Sequence, residues 1–351
     1  KYKIDHTKID EKLTNFPVLV KIDSTKPNYQ HFFDNAGTDG ASVRFVSTLE
    51  TTKWSYRKKI TLTGQSGAGT NYQVFLKVGE SSGSTGADFH LGGHSADFPS
   101  AKNDGGDLRF TDNDGETLLP FWVEEVSGTS PNRVAKVWVK VKDDLGSNVD
   151  IYCYYGNSGA SNASNGDDTF DFFDDFDGSS IDTNKWSGDT TGFSVSGDNL
   201  KGTNTTGRLQ STSSFSYTTI QEVKTKVVSR ATNGEQLGGF FDSTSNSLGV
   251  LAHPNTDYKR NDSNWASLGS QIIAANYWHL LKISAKDSSN VNVYIKNLDN
   301  GSDALNQNYT NTVSNEKITI GKRYDDGCTN QSYEAYWDWI RIRKYASTEP
   351  S

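Results

Sequence analysis

Carboxylates stand at two distant points of the chain that a fold could bring together. Three aspartates fall within residues 173–177, and Asp338 lies far downstream in a strand-like segment, residues 336–345. The alternation of a β-strand puts Asp338 on one face with Ile340 and Ile342. A carboxylate on an apolar face needs backbone donors, a cationic side chain or a metal ion. Because calcium prefers hard oxygen ligands, it is the sharpest candidate. The opposite face then carries Trp337, Trp339, Arg341 and Arg343.

Groups for catalysis are weakly supported. Glu124 and Glu125 are adjacent in a strand pattern, so their side chains should face opposite sides and make a poor acid/base pair. His90, His94 and Asp97 could hold a transition metal, but their glycine-containing loop favours a solvated turn. The sequence contains no phosphate-binding loop. We therefore predict no catalytic residues.

The composition of the 351 residues predicts an all-β protein of two or three domains. Hydrophobic residues make up 33% of the chain, and 32 glycines but only 7 prolines suit short strands joined by polar turns. The net charge of −8, without a run of lysines and arginines, argues against nucleic acid as a partner. Apolar stretches reach only strand length, so no membrane span is expected.

An internal repeat occupies the first half of the chain. Residues 1–46 follow the pattern of residues 57–110, but the second copy continues to residue 157 and the first stops halfway. A partial β-sandwich leaves strand edges unpaired. Missing strands could come from residues before Lys1, from another copy by strand donation, or from docking on residues 54–157. Head-to-tail completion between copies would build filaments or rings.

The second copy of the repeat carries family motifs. It opens with Tyr-Arg-Lys-x-Ile at residues 56–60, passes through Asp-Leu-Arg-Phe at 107–110 and ends in Tyr-Tyr-Gly-Asn at 154–157. These motifs resemble domain of unknown function 2341, which occurs in bacterial and archaeal surface proteins. The resemblance implies a β-sandwich without established chemistry. Independently, residues 135–141 alternate as a half-buried strand, which predicts Trp138 outside the core.

The second half of the chain also resembles a known family. The Asp-x-Phe-Asp-Gly opening at residues 174–178 and the Tyr-x-Asp-Trp-x-Arg strand at 336–341 resemble the concanavalin A-like jelly roll. That fold includes laminarinase-type glycoside hydrolases and non-catalytic lectin relatives. The resemblance implies a structural calcium at Asp338, with Asp175 or Asp177 beside it. The hydrolases carry a Glu-x-Asp-x-x-Glu strand that this chain lacks, so we do not expect hydrolysis.

The jelly-roll resemblance also implies a saccharide site. Aromatic faces pack against the apolar side of a pyranose, and neighbouring polar groups bind its hydroxyls. The expected contacts are Tyr258, Arg260, Trp265, Arg323, Tyr324, Asn330 and Trp337. Each aromatic ring could instead pack in the protein, and Trp337 could contact a neighbouring domain or subunit.

The expected organisation has five parts. They are a partial repeat at residues 1–52, a complete β-sandwich at 53–157, a linker at 158–168, a concanavalin A-like jelly roll at 169–346 and a tail at 347–351. The linker has the Gly, Ser and Asn composition of a flexible connection. Cys153 and Cys328 fall in different domains, and free thiols are favoured because a disulfide needs Cα atoms within roughly 7 Å.

Asn-x-Ser/Thr sequences suggest an extracellular, cell-surface protein. The glycosylation candidates are Asn162, Asn204, Asn261, Asn300, Asn308 and Asn330. We therefore expect a non-enzymatic extracellular structural or adhesion protein, a filament-forming or surface subunit whose jelly roll binds glycans. Its partners would be copies of itself, other surface proteins and glycans. The alternative is a carbohydrate-active enzyme, a glycoside hydrolase or lyase, or its carbohydrate-binding appendage.

Overall fold

A computed structural model describes residues 49–203, 207–230, 235–241, 247–261, 264–321 and 333–351. For residues 235, 247, 258–261, 264 and 265 it describes the backbone alone. The partial repeat expected at residues 1–52 therefore lies almost wholly outside the described ranges. The same holds for Asn204, Arg323, Tyr324, Cys328 and Asn330.

Residues 56–155 form a β-sandwich of eight strands. They are β1 (Tyr56–Leu62), β2 (Tyr72–Gly79), β3 (Phe89–His90), β4 (Arg109–Thr111), β5 (Leu118–Leu119), β6 (Phe121–Ser127), β7 (Val134–Val141) and β8 (Val149–Tyr155). Two four-stranded sheets have the orders β1-β8-β4-β5 and β3-β2-β7-β6. A 3-10 turn, Thr51–Lys53, precedes β1. Apolar residues at alternate positions, such as Val137 and Val139 of β7, fill the core between the sheets.

The second described domain is a two-sheet jelly roll that confirms the all-β class. Its strands are β9 (Phe172–Asp174), β10 (Trp186–Gly188), β11 (Phe193–Val195), β12 (Leu200–Thr203), β13 (Arg208–Phe215), β14 (Thr219–Ser229), β15 (Glu235–Phe241), β16 (Ser247–Ala252), β17 (Asp257–Asn261), β18 (Asn264–Gly269), β19 (Trp278–Ala285), β20 (Asn290–Asn297), β21 (Asp303–Thr310), β22 (Glu316–Gly321) and β23 (Glu334–Lys344). A seven-stranded sheet has the order β10-β13-β22-β15-β16-β17-β18. An eight-stranded sheet has the order β11-β12-β23-β14-β19-β20-β21, with β9 paired to β23.

A β-bulge in β23 changes which residues face the jelly-roll core. Lys224 of β14 pairs with Trp339 and the next residue, Thr225, pairs with Trp337, so Asp338 is the extra residue. Ile340 and Ile342 lie in the core, as predicted. Trp337 lies in the same core, and its predicted position on the opposite face is wrong because the bulge reverses the alternation.

The segment between the two domains is not a loose connection. Asn165 caps the four-residue helix α1 (Gly166–Thr169) by accepting a hydrogen bond from the backbone N–H of Asp168. Ser164 accepts a hydrogen bond from the backbone N–H of Val123 in β6 at 2.9 Å. The expected flexible linker is therefore held against the sandwich by hydrogen bonds. Among the described residues, no helix has the length and apolar character needed to cross a bilayer.

Aromatic rings join the sandwich to the jelly roll. One buried cluster combines Trp122 and Trp138 of the sandwich with Phe170, Phe173 and Trp339. Trp138 is 5% exposed. Its predicted place outside the sandwich core is therefore correct, but its face of β7 is covered by the jelly roll and is not wet. The outer face of sheet β3-β2-β7-β6 thus packs against β9 and β23 of the eight-stranded sheet.

The chain end returns to the sandwich. Ala346 packs in the sandwich core. Glu349 accepts hydrogen bonds from Lys282 and Arg343, each at 2.8 Å. The backbone of Ser351 bonds to Thr63, directly after β1. Residues 346–351 therefore strap the jelly roll to the first domain.

Candidate functional site

The outer face of the seven-stranded sheet carries three predicted saccharide contacts. Leu248 and Val250 of β16 point into the core, so Gly249 between them lies on the outer face. The strand register pairs Gly249 with Arg260 and pairs Arg260 with Trp265. Tyr258 lies two residues before Arg260 and takes a position on the same face. The strand pairing thus brings together the positions of Tyr258, Arg260 and Trp265, which the sequence analysis had grouped only through the jelly-roll resemblance.

Glycines continue this row towards the middle of the sheet. Gly239 of β15 pairs with Gly249. A Cβ added at Gly249 would lie 2.9 Å from the carboxamide of Gln236, which itself donates a hydrogen bond to the carbonyl of Thr319. Gln236 and Leu251 are buried on this face, so the middle of the sheet is packed. The accessible part of the row is therefore expected at β17 and β18, the edge of the sheet.

Trp337 is not part of this face. Its side chain is fully buried, and its indole N–H donates a hydrogen bond to the carbonyl of Leu237 at 2.9 Å. Its assignment to the saccharide site is thereby corrected, because a ring held between the two sheets cannot stack on a ligand. Arg323, Tyr324 and Asn330 lie outside the described residues.

Two lysines form ion pairs with the carboxylate of Asp338. Lys102 of the sandwich lies 2.6 Å from its Oδ1 atom, and Lys224 of β14 lies 2.5 Å from its Oδ2 atom. The Asp338 side chain is 11% exposed, so both ion pairs are shielded from water. The sequence suggested that a cationic side chain could serve this carboxylate, but gave no sign that Lys102 would supply it.

Asp175 is bound by Asn103, the residue that follows Lys102 in the sandwich loop. The side-chain amide of Asn103 donates a hydrogen bond to Asp175 and accepts one from the indole N–H of Trp122. Burial raises the pKa of Asp175, while the Asn103 hydrogen bond and the charge of Lys102 act in the opposite direction. The register of β9 on β23, with Asp174 opposite Ile340, brings Asp175 and Asp338 to one end of the strand pair.

The predicted calcium ligands do not fit a calcium ion as they are arranged. Calcium takes six to eight oxygen ligands. Both oxygens of Asp338 already contact ammonium groups, and Asp177 is exposed. Asp174 accepts hydrogen bonds from the backbone N–H of Phe176 and the indole N–H of Trp186. In the described parts of the chain, no group of three or more His, Cys, Asp or Glu side chains is placed to hold a metal.

A network of buried charged side chains lies against the aromatic cluster. Arg341 donates hydrogen bonds to Glu222 of β14 and Glu124 of the sandwich, both at 2.7 Å. Arg343 donates to the other oxygen of Glu222 at 2.9 Å. The two guanidinium groups hold the pKa of Glu222 far below its usual value despite its burial. Glu124 therefore has a docking role, and Glu125 pairs with Lys136 on the surface.

The sandwich carries a cleft that the sequence did not reveal. Its volume is about 300 Å³, and Trp54, Tyr56, Arg57 and Tyr154 contribute to its lining. Tyr56 is 43% exposed and stacks on His94 with ring centroids 4.6 Å apart. This stacking places His94 beside an aromatic ring, while His90 Nε2 contacts the carbonyl of Ser84 at 3.0 Å. Aromatic rings beside a guanidinium could bind a sugar.

The glycosylation candidates differ in their surroundings. The side chain of Asn162 is engaged, because its amide donates to the carbonyl of Asn103 at 2.7 Å. Asn300 lies in a turn and accepts hydrogen bonds from the backbone and hydroxyl of Ser302. Asn308 is exposed on β21. Only the backbone of Asn261 is described, and glycosylation stays a prediction for these residues.

Comparison with known families confirms the first resemblance. Residues 104–189 match a family described as "Domain of unknown function (DUF2341)". The match covers β4 to β9 and reaches β10, so it includes the connection into the jelly roll. Cys153, within this region, is a buried free cysteine, and burial raises its thiol pKa. No curated protein matches the sequence.

Solved structures of three mycobacterial proteins are similar to about half of this chain. A β-1,3-glucanase from Mycobacterium marinum is 11% identical, with 49% of this chain and 98% of that chain covered and a TM-score of 0.38. A glycosyl hydrolase family 16 protein from Mycobacterium smegmatis is 12% identical, with 49% and 99% covered and a TM-score of 0.38. A protein of Mycobacterium tuberculosis titled a pseudo β-1,3-glucanase is 12% identical, with 50% and 99% covered and a TM-score of 0.36.

These matches correct the expected function. The structures carry the names of glucanases and glycoside hydrolases, which contradicts the expectation of a non-enzymatic structural or adhesion protein. The expectation that the chain is not an enzyme is corrected on the same finding.

Proposed function

We propose that this chain belongs to a carbohydrate-active enzyme and binds a polysaccharide on the outer face of the seven-stranded sheet. The observation that carries the proposal is the row formed by Gly249, Arg260 and Trp265. Gly249 lies under the Gln236 carboxamide, so the part of the row open to a sugar is at Arg260 and Trp265, residue types that offer a hydrogen-bond donor and an aromatic surface. Extracellular location is part of this proposal, because polysaccharides of this kind are met outside cells.

The packing of the two domains supports the choice of sheet. The sandwich covers the eight-stranded sheet around Phe173, Trp339 and Arg341. A long ligand cannot lie across that part of the jelly roll. Among the described residues, the aromatic cluster contains none from the seven-stranded sheet, and the predicted saccharide contacts that are described group at its β17–β18 edge.

Binding to polysaccharides tests the proposal. Affinity electrophoresis and calorimetry would use laminarin, mixed-linkage β-glucan and mucin glycans as separate probes. Trp265→Ala and Arg260→Ala should each weaken binding, by roughly tenfold for the lost aromatic ring. Tyr217→Ala is the matched control, because Tyr217 is a 44% exposed aromatic residue of the jelly roll outside this row.

The outcomes separate the proposed site from its rival. Loss of binding on Tyr56→Ala, with Trp265→Ala unchanged, would move the site to the sandwich cleft and overturn the proposal. Absence of binding to every polysaccharide would also overturn it. Release of reducing ends from a bound polysaccharide would assign the chain to the glycoside hydrolases, which use two carboxylates about 5–9 Å apart. Binding without release would assign it to the carbohydrate-binding part of such an enzyme.

A further inference from the structure

The acidic end of the jelly roll is neutralised by side chains from two domains. Lys102 and Asn103 are consecutive residues of one sandwich loop, and they bind Asp338 and Asp175 respectively. Lys224 of the jelly roll itself binds the second oxygen of Asp338. Three nitrogen donors thus meet the two carboxylates that the sequence assigned to a calcium ion. Hydrogen bonds from charged donors of this kind are the stronger class.

The loop that supplies these donors is firmly fixed. Asn103 has a φ of 63°, a left-handed conformation that asparagine tolerates better than most residues. Its backbone N–H donates to the carbonyl of Val123 at 3.0 Å, and its side-chain carbonyl accepts from Trp122. Asn162 donates to its backbone carbonyl. Lys102 therefore projects from a loop whose position is set by β6 and by the segment after β8.

A calcium ion and the Lys102 ammonium cannot share this place. The ammonium is within 2.6 Å of Asp338 Oδ1, while a calcium ion would sit about 2.3–2.6 Å from the same oxygen. Two cations at such separation repel strongly where water is largely excluded. Occupancy by one therefore requires departure of the other.

We infer that Lys102 takes the place of a metal ion at this end of the jelly roll. The sandwich domain thereby supplies, through the Lys102 ammonium, the positive charge that neutralises the Asp338 carboxylate of the jelly roll. Domain docking and divalent-cation binding at Asp175 and Asp338 are then mutually exclusive. The intact protein should not bind calcium through Asp338. Removal of the Lys102 charge should weaken docking and convert the same carboxylates into a calcium site.

Calorimetry and thermal unfolding test this inference with CaCl₂ as the probe. The chelator-treated wild type and Asp338→Asn should give the same calcium titration. Lys102→Met should unfold at least about 3 °C lower than the wild type in EDTA and should regain part of this loss in CaCl₂. The double variant Lys102→Met/Asp338→Asn should not regain it. Hydrogen exchange of residues 101–106 should be faster in Lys102→Met.

A matched variant guards against a general effect of lost charge. Lys136→Met removes a lysine of the same domain that pairs with Glu125 on the surface; it should lower the unfolding temperature by less than Lys102→Met does and should not change the calcium response. If Lys102→Met does not fold, Lys102→Gln removes the same charge and should gain the same calcium response. Asp338-dependent calcium binding by the wild type would overturn the inference. So would a folded Lys102→Met, or failing it Lys102→Gln, that gains no response to calcium.

Discussion

The guanidinium of Arg341 in the last strand of the jelly roll donates a hydrogen bond to Glu124 of the sandwich at 2.7 Å. Arg341 is 2% exposed and lies within 4.3 Å of the ring centroid of Trp138 and 4.2 Å of that of Trp339. A charge in such a place is stable only with its partners in position. The relative position of the two domains therefore depends on this contact between the side chains of Arg341 and Glu124.

Replacement of Arg341 should destabilise the whole chain. Arg341→Met leaves Glu124 without its guanidinium partner and Glu222 with Arg343 alone, so we expect a loss of about 3 kcal/mol or more in the free energy of unfolding. Arg341→Lys should recover little, because an ammonium cannot reach both carboxylates in the planar geometry of a guanidinium. Urea unfolding measures both, and Lys136→Met should cost under about 1 kcal/mol. Equal losses for Arg341→Met and Lys136→Met would contradict this account.

Stability in acid should depend on Glu80. The hydrogen bonds from Arg133 lower the pKa of Glu80 from 4.5 to about 2. Because the folded pKa is the lower one, this stabilisation is present above pH 4.5 and is lost as the pH falls towards 2. Glu80→Gln should therefore be less stable than the wild type at pH 7, with the difference closing between pH 4.5 and 2. Urea midpoints at several pH values measure it, and a constant difference down to pH 2 would refute the prediction.

His279 should add a second pH dependence at higher pH. Burial lowers the pKa of its imidazole from the usual 6.5, and its Nδ1 atom contacts the carbonyl of Tyr277. The neutral form is favoured in the folded state, so stability should be full above pH 6.5 and decline as the pH falls below it. His279→Leu should remove the part of the decline below pH 6.5 that belongs to this residue. If the variant and the wild type lose stability in parallel over that range, His279 is not the source.

Two glycines near the domain connection should respond differently to alanine. A Cβ at Gly166 would lie 2.2 Å from the ring of Phe173, which belongs to the interdomain aromatic cluster. Gly166→Ala should therefore cost roughly 1–3 kcal/mol through overpacking. Gly159→Ala is the control, because the nearest atom to its Cβ, the Asn157 side-chain oxygen, is 3.5 Å away. Thermal unfolding of both compares them, and an unaffected Gly166→Ala would show that the ring can move aside.

The alternation of apolar and polar residues in the sequence predicted the strands. It did not predict the contacts between residues that are far apart in the chain. The alternation around Ile340 and Ile342 identified the core face of β23, because side-chain direction follows from strand geometry. The position of Trp337 could not be predicted in the same way, since the bulge depends on pairing with β14. Trp138 was expected to face water because its jelly-roll partners lie far along the chain.

The acidic site shows the same limit. Residue types alone indicated that Asp338 required a cationic partner, but Lys102 is 236 residues away and in the other domain. No spacing rule connects the two residues. The same is true of the row of saccharide contacts, because the pairing of Arg260 with Trp265 is set by the register of β17 and β18 and could not be predicted from the sequence. Residue chemistry thus set the requirement, and the topology chose the partner.

The single extra residue at Asp338 also bears on how the segment tolerates insertions and deletions. Before it, Ala335 and Trp337 face the core; after it, Ile340 and Ile342 do, which leaves Trp339 for the neighbouring domain. Loss of Asp338 itself would restore even alternation with Trp337, Ile340 and Ile342 still on the core face, whereas a regular strand that kept Asp338 would force one half of the strand to exchange its buried and interfacial side chains. The bulge is therefore what allows the strand to carry Asp338 without moving either group of core side chains to the other face.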